Sequence, residues 1–150
     1  MTDDASRMVE VGDKDVSDRR AVAEAEIRMR AETVERLQAG TEKGDPLEAA
    51  RIAGLMAVKR TPELLPFCHP VAVTGAEVEV TPDRAAGRIA IRATVRARDR
   101  TGVEMEALTA CAIAALSLYD TAKAFQRDAV IERITLLEKR GGASGDHVAS

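Results

Sequence analysis

Between Ala110 and Tyr119 the chain is apolar except at Ser117, and the run stops at Asp120. Such a stretch falls well short of the roughly 20 residues that cross a bilayer, so it calls for burial inside a protein. Thr101-Gly102-Val103-Glu104 predicts a capping box ahead of it, opening a helix that should run to about Gln126. A helix that is apolar nearly all round needs cover on every side. A sheet would supply it on one flank and a second subunit on the other.

The rest of the chain supplies that sheet. Arg20 to Arg30 alternates, with Ala21, Ala23, Ala25, Ile27 and Met29 on one side and mostly Glu and Arg on the other, which reads as a strand. Ala, Glu and Arg also favour helix, so a helical reading competes. Ala31 to Ala39 reads as a helix ended by Gly40. Asp45-Pro46-Leu47-Glu48 combines an Asp cap, Pro at the first helical position and Glu three residues after the cap. Leu47, Ile52, Leu55 and Met56 give this helix its apolar face. It should stop near Arg60, because Pro62 has no amide to donate and biases Thr61 out of the helical region. Val71 to Thr81 and Arg88 to Arg98 are β-rich, Pro82 to Gly87 turns between them, and Val130 to Glu138 is a last strand before the Gly141-Gly142-Ala143-Ser144-Gly145 stretch.

The order strand, helix, helix, strand, strand, helix, strand predicts an α+β fold, a ferredoxin-like antiparallel four-stranded sheet with helices on one face. Many unrelated activities share that architecture. At 150 residues the chain makes a single domain, with 1–7 and 141–150 expected as flexible tails. Phe67, Tyr119 and Phe125 are its only aromatic residues, so the core is built from Ala, Val, Ile, Leu and Met and packs backbones closely.

A formal net charge of −3 gives no general attraction for nucleic acid or an anionic membrane, so an anionic substrate must meet a local group of bases. The strands lack the exposed aromatic residues of an RNA-binding sheet. Cys68 and Cys111 are too few for a disulfide framework, and His69 and His147 too few for a His-rich metal site. The first residues lack the apolar segment of a secretory signal, which leads to the expectation of a cytoplasmic protein.

Four features concentrate polar chemistry. Lys43-Gly44-Asp45 sets a lysine beside a helix N-terminus, where backbone amides favour anions, although a solvated loop lysine looks the same. Cys68-His69 lies between Pro66 and Pro70 in a stiff turn; neighbours in extended chain point opposite ways, so they cannot pair as thiolate and base. His69 is open to a structural or a catalytic role. Glu104 is explained by the capping box, and Glu106 either compensates the helix dipole or has a role of its own. Asp120 and Lys123, three apart on one helical face, are either a surface ion pair or a functional pair whose titration is displaced beside so buried a segment. Glu106 and Asp120 lie roughly 21 Å apart along one helix but only ~40° around it. One compact ligand would meet both only at a site shared between subunits.

Taken together, Met8-Val9-Glu10-Val11, Lys43-Gly44-Asp45, Ala50-Arg51-Ile52-Ala53-Gly54, Lys59-Arg60-Thr61, Leu65-Pro66-Phe67-Cys68-His69-Pro70, Thr101 to Ala110, Tyr119-Asp120, Lys123-Ala124 and Leu136-Leu137-Glu138-Lys139 resemble the molybdenum cofactor biosynthesis protein C family, over about Met8 to Asp146. The resemblance implies the ferredoxin-like fold and a lyase that converts a small-molecule, cyclised dihydro-GTP substrate into cyclic pyranopterin monophosphate with loss of diphosphate. It implies Asp120 as catalytic acid/base with Lys123 beside it, Lys43 as an active-site lysine, Phe67, Cys68, His69, Met105 and Glu106 as substrate-binding, and Lys59 and Lys139 as further bases of the pocket. It also implies a homohexamer, a trimer of dimers with active sites at subunit interfaces, requiring no cofactor beyond magnesium that could accompany the triphosphate. Phe67 stands where the family usually has Leu, and Ala143 where its glycine-rich tail often has lysine. A non-catalytic small-molecule binding module is the competing reading, distinguished by binding without release of diphosphate.

Overall fold

The computed structural model describes residues 5–149. Along the chain run β1 (Ser17–Arg28), α1 (Ala31–Ala39), α2 (Pro46–Leu64), β2 (Val73–Asp83), β3 (Arg88–Asp99), α3 (Glu104–Ala122), β4 (Val130–Arg140) and β5 (His147–Val148). The sheet order is β2-β3-β1-β4-β5, with every neighbouring pair antiparallel. The helices share one face, as in the ferredoxin-like fold.

Burial decides the competition over β1 in favour of strand. Ala21, Ala23, Ala25 and Ile27 pair with Val95, Ala93, Ile91 and Ile89 of β3. All eight are buried beneath Ala107, Ala110, Cys111, Ala114 and Leu118 of α3. A helix would have scattered that alternating set around its circumference. The opposite face of the sheet carries ion pairs, among them Glu24 with Arg92, Glu26 with Arg88, Arg28 with Glu132 and Arg20 with Glu138.

Several boundaries differ from expectation. Helix α2 runs through Pro62 to Leu64 instead of stopping near Arg60. Pro62 falls in the last turn, where it removes a single amide. Thr61 Oγ1 donates to the Ala57 carbonyl at 2.8 Å and the Leu65 amide to the Thr61 carbonyl at 3.0 Å, so the backbone around it stays bonded. The capping box at Thr101 does not form: Val103 is the N-cap and has no side-chain cap, and Glu104 lies 3.9 Å from Lys139 Nζ. Helix α3 ends at Ala122, short of Gln126, because the Phe125 and Gln126 amides both turn back to the Ala122 carbonyl at 2.8 Å. Gln126 Oε1 then accepts from the Arg30 amide at 2.8 Å and Thr33 Oγ1 at 2.9 Å, tying the end of α3 to the start of α1. Strand β2 continues through Pro82, which an edge strand tolerates because the missing amide can face away from the ladder. Beyond β4 the chain folds back, pairing Val148 with Glu138 and His147 with Lys139, so the sheet has five strands and not four.

The expected apolar face of α2 is its outer one. Leu47 is half-buried, but Ile52, Leu55 and Met56 are exposed, and the inward residues are Pro46, Ala50, Gly54, Ala57, Val58 and Thr61. Small residues turn inward because α2 is pressed between the sheet and α3. A Cβ on Gly54 would meet Val78 Cγ2 at 3.0 Å and the Ala110 carbonyl oxygen at 3.2 Å. Replacing Gly54 with Val should therefore destabilise the fold by about 1–3 kcal/mol through overpacking, a loss that urea unfolding monitored by circular dichroism would measure.

Candidate active site

Functional side chains gather at the two ends of α3. At its C-terminal end, Asp120 Oδ1 lies 2.7 Å from Lys123 Nζ, with side chains 74% and 49% exposed. The loop before α2 closes on itself, the Thr41 and Gly44 amides each donating to the other's carbonyl at 2.9 Å. Gly44 supplies the φ of 114° that the turn requires. This sets Lys43 opposite Asp120 across a cavity of about 250 Å³, which Thr121, Ala124 and Phe125 also line. The expectation that burial displaces the pair is corrected here. Asp120 is open to water in the single chain, and its carboxyl is held below the usual range by the hydrogen bond and charge of Lys123, with a smaller contribution from Lys43. At neutral pH it is an ionised base.

The N-terminal end of α3 is different in kind. Phe67, Cys68, His69, Met105 and Glu106 line one cavity of about 260 Å³, together with Val9, Val11, Lys14, Thr101, Gly102 and Glu104. Phe67 and Met105 are exposed, giving the cavity an apolar rim, whereas Glu106 is 2% exposed. The Cys68 thiol donates to Glu106 Oε2 at 3.7 Å, and Glu106 Oε1 has no hydrogen-bond partner. Burial raises the Glu106 carboxyl above its usual range and outweighs its own backbone amide and the Cys68 thiol, which both favour the charge. Burial and the neighbouring Glu106 push the Cys68 thiol up to about 11, so it is no thiolate nucleophile at neutral pH. His69 also borders a second depression with Pro70, Asp99 and Arg100.

Lys14 is shared with a larger cavity of about 740 Å³, lined by Ser17, Arg19, Gly142, Ala143 and Ser144 as well. Arg19 is only 7% exposed and donates from Nε to the Asp99 carbonyl at 3.3 Å. Ser17 Oγ is buried without a partner. Gly141 and Gly142, with φ of 95° and 92°, cross directly over Asp18 and Arg19, where any Cβ would collide. Lys139 stands between the two cavities, its Nζ 2.6 Å from Ser144 Oγ and 3.9 Å from Glu104 Oε1.

Of the seven residues expected to bind substrate or line its pocket, the structure brings together Phe67, Cys68, His69, Met105 and Glu106, with Lys139 beside them, and separately joins Lys43 to Asp120 and Lys123. Lys59 is exposed on α2 and lines neither cavity. Sequence reasoning missed Lys14, Ser17 and Arg19. The signal for Arg19 was there: it falls in phase with Ala21 and Ala23, a charged residue on the buried side of an alternating strand. Among the described residues no three His, Cys, Asp or Glu side chains converge as a metal site would.

The burial of Glu106 has a testable sign. Its raised value means the folded chain holds the proton to higher pH than the unfolded chain, so stability is lost as pH rises from the ordinary carboxylate range through the folded value. Glu106→Gln should leave the melting temperature nearly unchanged at pH 4 and raise it at pH 8, as scanning calorimetry would measure.

The sequence matches the MoaC family over residues 8–142. A cyclic pyranopterin monophosphate synthase of Roseiflexus sp. (strain RS-1) is 54% identical over 144 residues, which is 95% of this chain and 91% of that protein. Proteins of the same name from Pelotomaculum thermopropionicum and Nostoc sp. are 50% and 52% identical, over 93% and 95% of this chain and 83% and 85% of theirs.

Proposed function

The chain belongs to the MoaC family, and we infer that it catalyses the formation of cyclic pyranopterin monophosphate in molybdenum cofactor biosynthesis, as a phosphorus–oxygen lyase. Its substrate is the cyclised dihydro-GTP, and diphosphate leaves. The observation that carries this reading is the convergence of Phe67-Cys68-His69 with Met105-Glu106 on one cavity, which Lys14 also lines and shares with an adjoining cavity that holds Arg19, with Lys139 bonded to Ser144 of the one and near Glu104 of the other. The apolar rim suits a flat heterocycle and the cationic neighbour a polyphosphate.

Forming a cyclic monophosphate requires a substrate hydroxyl to attack the α-phosphorus, surrendering its proton, while the bond to diphosphate breaks. Proton transfers must also open and close the heterocycle. Asp120, ionised beside Lys123, is the base, and Lys43 and Lys123 stabilise the charge that develops on phosphate oxygens. These steps need no redox group; a magnesium ion could arrive with the triphosphate.

Asp120 and Glu106 lie at opposite ends of α3, so the working site draws Lys43, Asp120 and Lys123 from a neighbouring subunit of a homohexamer built as a trimer of dimers. The exposed apolar residues Ile52, Leu55 and Met56 on α2 and Leu116 on α3 support such an assembly. No helix among the described residues is long and apolar enough to cross a membrane, and a cytoplasmic location fits a nucleotide-derived substrate.

Asp120→Ala or Lys123→Ala should cut the rate of diphosphate release from the cyclised nucleotide by about 10²–10⁴-fold with an unchanged melting curve; binding without release by the unaltered chain would favour a non-catalytic module. The shared site makes a second prediction. Asp120→Ala and Arg19→Ala chains, each inactive, should recover part of the turnover when unfolded together and reassembled, since some interfaces then present both native halves. A mixture as inactive as its parents would assign both halves to one subunit.

A further inference from the structure

Glu106 is the one carboxyl of the site removed from water, and its two oxygens are not equivalent. Oε2 accepts the Cys68 thiol at 3.7 Å. Oε1 is buried and has no partner at all. Among the described residues no cation pairs with this carboxyl. Lys139, the closest candidate from β4, is engaged by Glu104, Ser144 and the Gly145 carbonyl. The other titratable groups lining the cavity are Lys14 from the N-terminal segment, Cys68 and His69 from the proline-flanked turn, and Glu104 from the same helix. Glu104 opposes a negative charge on Glu106, whereas the Cys68 thiol and the backbone amide of Glu106 favour it by less than burial opposes it.

We propose that Glu106 works as a neutral carboxylic acid, with the proton on Oε1, and donates it in a hydrogen bond to a carbonyl oxygen of the substrate's guanine-derived heterocycle. The inference rests on the reading of this cavity as the substrate site. A neutral acid offers an O–H, which matches a ring carbonyl. An ionised carboxylate offers only acceptors and would match ring N–H groups instead. The ligand thus supplies the acceptor that the free protein lacks, so the cost of the orphaned group is relieved only on binding. Burial, which raises this carboxyl, acts in the same direction.

Binding of the cyclised nucleotide to the full-length Asp120→Asn chain, where chemistry is blocked, separates the two chemistries. With Glu106 present, affinity should fall about tenfold from the acidic to the alkaline end of the pH range in which the chain stays folded, as the proton is lost. Glu106→Gln, which keeps a donor on one atom and an acceptor for Cys68 on the other, should bind within about threefold of the parent at pH 6 and stay flat across that range. Glu106→Ala should bind weakly throughout. A Gln variant as weak as the Ala variant, or a parent whose affinity rises with pH, would overturn the proposal in favour of an ionised acceptor. If neither variant alters affinity while turnover still depends on Asp120, the proposal fails and the functional reading stands. Full diphosphate release by Asp120→Ala would instead remove that reading.

Discussion

The close approach of α2 and α3 over the sheet is the constraint on which the rest of the molecule depends. Ala114, Ala115 and Ala110 on α3, Ala50, Gly54 and Ala57 on α2, and Ala21, Ala23, Ala25 and Ala93 on the strands are all buried and all small. With so few aromatic residues to space the layers, stability comes from dispersion between backbones in near contact. Two consequences follow directly. The larger apolar residues of α2 have no room inside and face outward, leaving a surface suited to another subunit. The helix that fills the centre runs straight from one side-chain cluster to the other, so its length fixes their separation.

That separation gives the two carboxyls of the site opposite characters. Asp120 stands in water beside an ammonium group and stays ionised. Glu106 sits out of water beside a thiol and resists ionisation. Two carboxyls driven apart in this way can take the basic and the acidic side of proton transfer. The cations are divided as well: Lys43 and Lys123 accompany Asp120, while Lys14 lines the Glu106 cavity and Arg19 the one adjoining it.

The glycine-rich segment and the short strand after it are the fold's other investment in the site. Gly141 and Gly142 let the chain cross over Arg19, burying a guanidinium whose Nε donates to the Asp99 carbonyl. The pairing of β5 with β4 then returns the chain past Lys139. Ala143 lines this cavity, so its positive charge comes from the body of the fold and not from that position of the tail.

The sequence alone was enough for the order of the elements through β4, the alternation of β1 and β3, and the Asp45 cap, whose carboxylate accepts the Leu47 amide at 2.9 Å. These are local or periodic properties, set by side-chain chemistry at short spacing. What lay beyond it depended on neighbours distant in the chain. Whether Pro62 ends a helix depends on bonds made by Thr61 and Leu65. Which face of α2 is buried depends on how near Ala110 comes to Gly54. That Glu106 is starved of partners while Asp120 is bathed in water is a fact of depth, and depth exists only once the layers have closed.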